Sequence, residues 1–169
     1  MNAFVILLRL VHIVSGVFWV GAGLMTYFFI SPAVAATGES GQKMMGHMIT
    51  KGKMSVRVTV AAILTVLAGA ILYWIDSGGL TSAWTTSPAG WGFGIGGLFA
   101  LAGFGTGMMV GQNAAKLGQI AAAAQGKPSP DQIAEMQAAQ KRMGNASRLS
   151  TIALIIALVC MATARYWGV

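Results

Sequence analysis

Acidic side chains are almost missing from this chain: only Glu39, Asp76, Asp131 and Glu135 occur in 169 residues. Charged residues of both signs make up 9%, where an ordinary soluble domain carries about 25%. That scarcity excludes a solvated surface all round and points to lipid as the solvent. It also leaves no pair of carboxylates within the apolar stretches, and neither a Ser/His/Asp set nor an HExxH helix accompanies the four acids, so hydrolase chemistry has no carrier. Cysteine occurs once, as Cys160. One thiol excludes an intrachain disulfide and a cysteine-based metal cluster, and it leaves the redox compartment unread.

What is present is apolar length, with 56% of the residues hydrophobic. A spanning helix needs about 20 predominantly apolar residues. Four stretches offer them: the uncharged run between Arg9 and Glu39, the run Val58 to Ile75, the uncharged stretch Ser77 to Ala115, and Leu149 to Ala164. The expected fold is all-α, a polytopic integral membrane protein with four transmembrane helices in a bundle. The helices are placed at about residues 2–30, 55–75, 88–124 and 130–167, all in one domain spanning 1–169. The first run is too long for the apolar core of a secretory signal and has no basic segment ahead of it, so it is read as a retained helix. No repeat of 20 to 50 residues is visible.

The net charge of +7 is not gathered into an aromatic-interleaved patch, so nucleic acid is excluded as a partner. The cations sort by loop instead. Lys43, Lys51, Lys53 and Arg57 flank the first connection, and Lys116, Lys127, Lys141, Arg142 and Arg148 flank the third. By the positive-inside rule that side is cytoplasmic, which puts both termini on the outer side of a bacterial inner membrane. Tyr73, Trp74, Trp84, Trp91, Tyr166 and Trp167 then fall near the outer interface, where amphipathic rings are favoured.

Local signals fix the joints. Ser31-Pro32 is expected to cap or kink the end of the first helix, and "ATGESG", 36–41, to form a turn. An interfacial helix is expected over 42–54, its apolar stripe made by Met44, Met45, Met48 and Ile49. Ser87-Pro88 starts the third helix, and Ser129, Pro130 and Gln132 form a capping-box pattern before the fourth. The polar continuations of the third and fourth helices make a hairpin that projects into the cytoplasm. Gly92, Gly96, Gly103, Gly107 and Gly111 give the third helix small-residue spacing that lets another helix approach closely in lipid.

Chemistry, if any, belongs to one depth. Arg9, His12, Gly16, Trp19 and Gly23 share a face of the first helix, and a charge turned toward acyl chains is expensive, so that face is expected to point inward. Asp76, Met161 and Arg165 reach the same outer depth, giving an expected cluster of Arg9, His12, Asp76, Met161 and Arg165. In the structural reading the arginines snorkel, Asp76 caps or pairs, and His12 bonds a carbonyl. In the ligand reading His12 is an axial ligand for haem b, alone or with Met161, and Arg9 and Arg165 meet the propionates. His12 is also the candidate metal ligand, and the eleven methionines admit a Cu(I) route through soft thioethers. A quinone or small anion at the outer cations is the remaining form.

The stretch "LRLVHIVSGVFWVGAGLMTYFFISPA" resembles the first helix of a group of bacterial membrane proteins with an H-x(5,6)-W-x-G core followed by proline. These are the CopD-like copper-resistance proteins, the HemJ-type protoporphyrinogen oxidases and the membrane part of the PuuD-type urate oxidases. The matching residues are His12, Trp19, Gly21 and Pro32. The resemblance implies a helical membrane bundle and, for the haem-linked members, a ligand role for His12. The sequence is therefore expected to encode an auxiliary or structural subunit of a larger bacterial membrane complex, meeting other membrane subunits or copies of itself through its glycine surfaces. The alternative is a haem- or copper-handling protein using His12 on the outer side.

Overall fold

In the computed structural model of the chain, residues 2–124 and 126–168 are described, and the regular structure among them is entirely helical. Six α-helices follow in order: α1 (Ala3–Met25), α2 (Ser31–Thr37), α3 (Glu39–Thr50), α4 (Met54–Asp76), α5 (Pro88–Ala123) and α6 (Pro130–Thr163). A π-helical turn, Thr26–Ile30, joins α1 to α2 without a break, and a 3₁₀ turn, Ala164–Tyr166, prolongs α6. Four helical segments are long and apolar enough to cross a membrane: Ala3–Thr37, Met54–Asp76, Pro88–Ala123 and Pro130–Tyr166.

The capping signals act as read. Asn2 Oδ1 accepts the Phe4 N–H ahead of α1, and Ser87 Oγ accepts the Gly90 N–H at the head of α5. Ser129 and Gln132 exchange both bonds of a capping box before α6. Each cap satisfies N–H groups that the first turn leaves without intrahelical partners.

Three expectations at the first connection need correction. The first helix does not end near Ile30 but runs to Thr37, and Ser31 makes no side-chain cap. Pro32 in a regular α-helix would press its ring on the carbonyl four residues back. The wide turn just before it, where Ser31 N–H donates to the carbonyl of Thr26, opens that space. The turn expected over 36–41 shrinks to Gly38, at φ 56 and ψ −123, a conformation essentially reserved for glycine. Helix α3 therefore starts at Glu39 and closes at Thr50, earlier than expected at both ends. It folds back on α2 so tightly that a Cβ at Gly41 would lie 2.7 Å from the Cα of Val34.

The long helices associate in two antiparallel seams. Helix α1 lies along α4, from Arg9 beside Asp76 at one end to Trp19 against Ala61 and Ala62 further along. Helix α5 lies along α6, from Gly92 beside Ala164 to Lys116 beside Glu135. The seams meet where Trp19 packs edge-on to Phe104 at 6.2 Å and Leu154 joins the same buried cluster. The 36 residues of α5 extend about 54 Å, well beyond a hydrocarbon core of about 30 Å.

The accessible surface is 10,715 Å², against about 7,900 Å² for a compact folded monomer of this mass. Much of that excess is apolar, because Leu7, Val14, Val17, Phe29, Leu98 and Trp91 all face outward. Such surface requires lipid or protein to cover it.

Candidate functional site

Arg9, His12, Ser15 and Thr65, four polar residues of the apolar spans, lie along the α1–α4 seam. His12 lies one turn beyond Arg9 on α1, and its Nδ1 is 2.8 Å from the carbonyl oxygen of Thr65 on α4. A carbonyl only accepts, so Nδ1 donates, and the lone pair of the neutral ring is at Nε2. The ring reaches that carbonyl because the facing residue is Gly69. A Cβ there would stand 2.7 Å from His12 Cε1 and 2.9 Å from Nδ1. One turn deeper, the Ser15 and Thr65 hydroxyls are 2.8 Å apart, with the Ala61 carbonyl within hydrogen-bond reach of Thr65 and the Val11 carbonyl within reach of Ser15. Each hydroxyl has one proton, so one of the two donates across the seam and the other donates to the carbonyl on its own helix, which leaves both bonded.

At the end of this seam nearer the N-terminus of α1, Arg9 Nη2 stands 3.8 Å from Asp76 Oδ2, with both side chains somewhat over one-third exposed. Asp76 is the last residue of α4, and the chain leaves through Ser77, which is fully buried and holds the turn by accepting the Leu80 N–H. Tyr73 and Trp84 pack edge to face at 5.4 Å, and Trp84 stacks on Phe93. Trp74, Trp91 and Tyr166 are exposed at this same end of the molecule. An aromatic collar thus surrounds the end that carries Arg9 and Asp76.

The expected five-residue cluster divides between the two seams. Arg9 and Asp76 come together, with His12 one turn away on the same helix pair. Met161 belongs to the α5–α6 seam, its Cγ 2.8 Å from where a Gly96 Cβ would stand. Arg165 is exposed in the terminal 3₁₀ turn and, among the described residues, has no carboxylate within ion-pair distance. The physical reason is pairing: α6 lies against the glycine face of α5, and Leu154 of α6 meets α1 at Trp19 and Gly23, well away from His12. Among the described residues no three of His, Cys, Asp and Glu converge. The seam thus leaves one imidazole nitrogen, His12 Nε2, outside the bond to Thr65 and does not bring Met161 to it.

The glycine series likewise resolves unevenly. Gly92, Gly96 and Gly103 are buried against α6, where a Cβ would come within 2.8 Å of Ala164, Met161 and Leu154 respectively. Gly107 is looser, with Ser150 Oγ at 3.7 Å, and Gly111 has nothing within 4 Å. Ser150 uses the close approach to donate to the Gly103 carbonyl at 2.9 Å. The part of this face from Gly92 to Gly103 is occupied inside the chain, and Gly111 is open. Of the methionines in the expected interfacial stripe, Met45 and Met48 are half-buried and Met44 is exposed.

Thr65, Ser15 and Gly69 escaped the sequence reading. Thr65 and Gly69 stand one helical turn apart in "TVLAG", and that hydroxyl-plus-glycine spacing on an apolar helix is the signal that could have found the socket for His12. Compared with family models, curated proteins and solved structures, the chain matches none.

Proposed function

We propose that the chain is a small integral protein of a bacterial inner membrane, a four-helix bundle with both termini on the outer side, and a non-catalytic auxiliary subunit of a larger membrane assembly. The observation that carries this reading is the surface. A chain of this mass exposes about a third more area than a compact monomer, and the excess is dominated by apolar side chains. Its intramembrane polar groups, meanwhile, are turned inward and engaged with one another: Arg9 with Asp76, His12 and Ser15 with Thr65, Ser150 with Gly103. Sorting of the nine basic residues near the two cytoplasmic connections supports the orientation.

A second reading is favoured by one specific geometry. Ligating histidines commonly donate the second ring nitrogen to a carbonyl, which fixes the tautomer and points the other lone pair outward. His12 is held in that way by Thr65, and residues 8–33 carry the resemblance to the CopD-like, HemJ-type and PuuD-type proteins. A haem b would be held by His12 through Nε2, and it would supply redox chemistry at the outer side.

One preparation separates the two readings. The protein is extracted from its native membrane in mild detergent, its oxidised and dithionite-reduced absorption spectra are recorded with metal analysis, and co-purifying polypeptides are identified. The subunit reading expects larger polypeptides and no Soret band. A Soret band that His12→Ala abolishes and His47→Ala leaves intact would overturn it in favour of the haem reading.

A further inference from the structure

An apolar groove runs along the α1–α4 seam on the side away from α5 and α6. Val11, Val14 and Phe18 of α1 form one wall, and Val60 and Leu64 of α4 form the other, with Arg57 at one end. Its volume is about 550 Å³, within the range of about 300–1,000 Å³ usual for ligand sites. A smaller hollow of about 230 Å³ continues it past Phe18 and Arg57 to Met48 and Gly52, where α3 meets α4. The whole depression is lined by apolar side chains except at Arg57 and at Ser15, whose hydroxyl is engaged with Thr65.

Depth gives the arrangement its meaning. From Arg57 to Asp76 is 19 residues along α4, or about 28 Å, so the two charges bracket a hydrocarbon core of about 30 Å. Arg57 thus stands at one interface, while the groove descends seven residues to Leu64, about 10 Å. That is roughly two-thirds of one leaflet. A molecule lying in it would be apolar along its length and anionic at the end that meets Arg57.

We infer that this groove holds one acyl chain of an anionic phospholipid, with the headgroup phosphate on the Arg57 guanidinium. Three observations favour this occupant. Arg57 has no acidic side chain within ion-pair distance among the described residues, whereas Lys43 and Lys116 pair with Glu39 and Glu135. Lys51 and Lys53 lie in the turn just ahead of α4, which enriches anions near the same end. A second copy of the chain would seat apolar helix in the groove, but it has little to offer Arg57. Of the four acids, Glu39, Asp76 and Glu135 are already engaged, and Asp131 stands at the far tip of α6. A phospholipid brings chain and phosphate on one molecule, and arginine binds phosphate oxygens in bidentate fashion.

The inference rests on membrane insertion and not on the subunit reading. The test is native mass spectrometry of the intact protein in mild detergent, titrated with phosphatidylglycerol or phosphatidylcholine carrying identical acyl chains. Phosphatidylglycerol is expected to be retained about five-fold or more over phosphatidylcholine. Arg57→Ala should bring the two within two-fold, Arg57→Lys should keep most of the preference, and Lys141→Ala should leave it unchanged. Val60→Trp, at a position half exposed and therefore tolerant of bulk, should fill the groove and reduce retention of both lipids. Equal retention of the two lipids, a preference untouched by Arg57→Ala, or unaltered binding in Val60→Trp would overturn the inference. A chain that stays soluble without detergent would instead overturn membrane insertion itself, before any lipid is added.

Discussion

Gly69→Ala offers the sharpest test of the seam, because one methyl group placed there has a single neighbour to displace. The new Cβ would stand 2.7 Å from His12 Cε1 and 2.9 Å from Nδ1. Overpacking of this kind costs about 1–3 kcal/mol. Pushing the ring away also strains the bond to the Thr65 carbonyl, worth about 0.5–1.5 kcal/mol. Against these stands the helix preference for alanine over glycine, about 1 kcal/mol in the other direction. The balance is a loss of roughly 1–3 kcal/mol in the native background. In His12→Ala the obstacle is gone, and the same Gly69→Ala change should be neutral or stabilising by up to about 1 kcal/mol. Reversible unfolding of the four proteins in one mild detergent completes a double-mutant cycle, with an expected coupling of about 2 kcal/mol. Equal effects of Gly69→Ala in both backgrounds would refute the docking of His12 on α4.

The glycines of α5 should separate by the same measurement. Gly103→Leu, directed at Leu154 and the Ser150 bond, is expected to destabilise by more than about 2 kcal/mol, while Gly111→Ala, which meets nothing, should stabilise by up to about 1 kcal/mol. Asp76→Ala should cost no more than about 1 kcal/mol, since both members of the pair it breaks are somewhat over one-third exposed; a larger loss on thermal unfolding would show a role beyond that pair. Cys160, buried beside Gly96, should react with a membrane-permeant maleimide far more slowly in the folded protein than after denaturation. A reporter fused after Val169 should be active only in its extracytoplasmic form, and cytoplasmic activity would reverse the proposed orientation.

Apolar runs long enough for four spans were legible in the sequence, as were the caps at Ser87 and Ser129 and the inward face of α1 from Arg9 through Trp19. Each of these depends on residues a few positions apart, so the local pattern contains the information. The first connection was less legible. There Ser31-Pro32 reads as a cap or kink at the end of the first helix, yet a π turn lets the helix continue, and a lone glycine, Gly38, makes the reversal. The site was legible only in its parts. Arg9, His12 and Asp76 could be placed at one depth, but depth does not say which residues at that level touch.

The sequence by itself determined that this chain forms long apolar helices and that Arg9, His12 and Trp19 share one face of the first, because both follow from residue type and helical period. Partner choice was decided by the tertiary structure alone. Gly92, Gly96 and Gly103 let α6 settle onto α5 and carry Met161 away, while Gly69 and Thr65 make a socket into which only α1 can put an imidazole. Between apolar helices in lipid no hydrophobic driving force chooses one neighbour over another. What chooses is shape and an occasional hydrogen bond between segments some fifty residues apart, and neither is visible until the helices are packed.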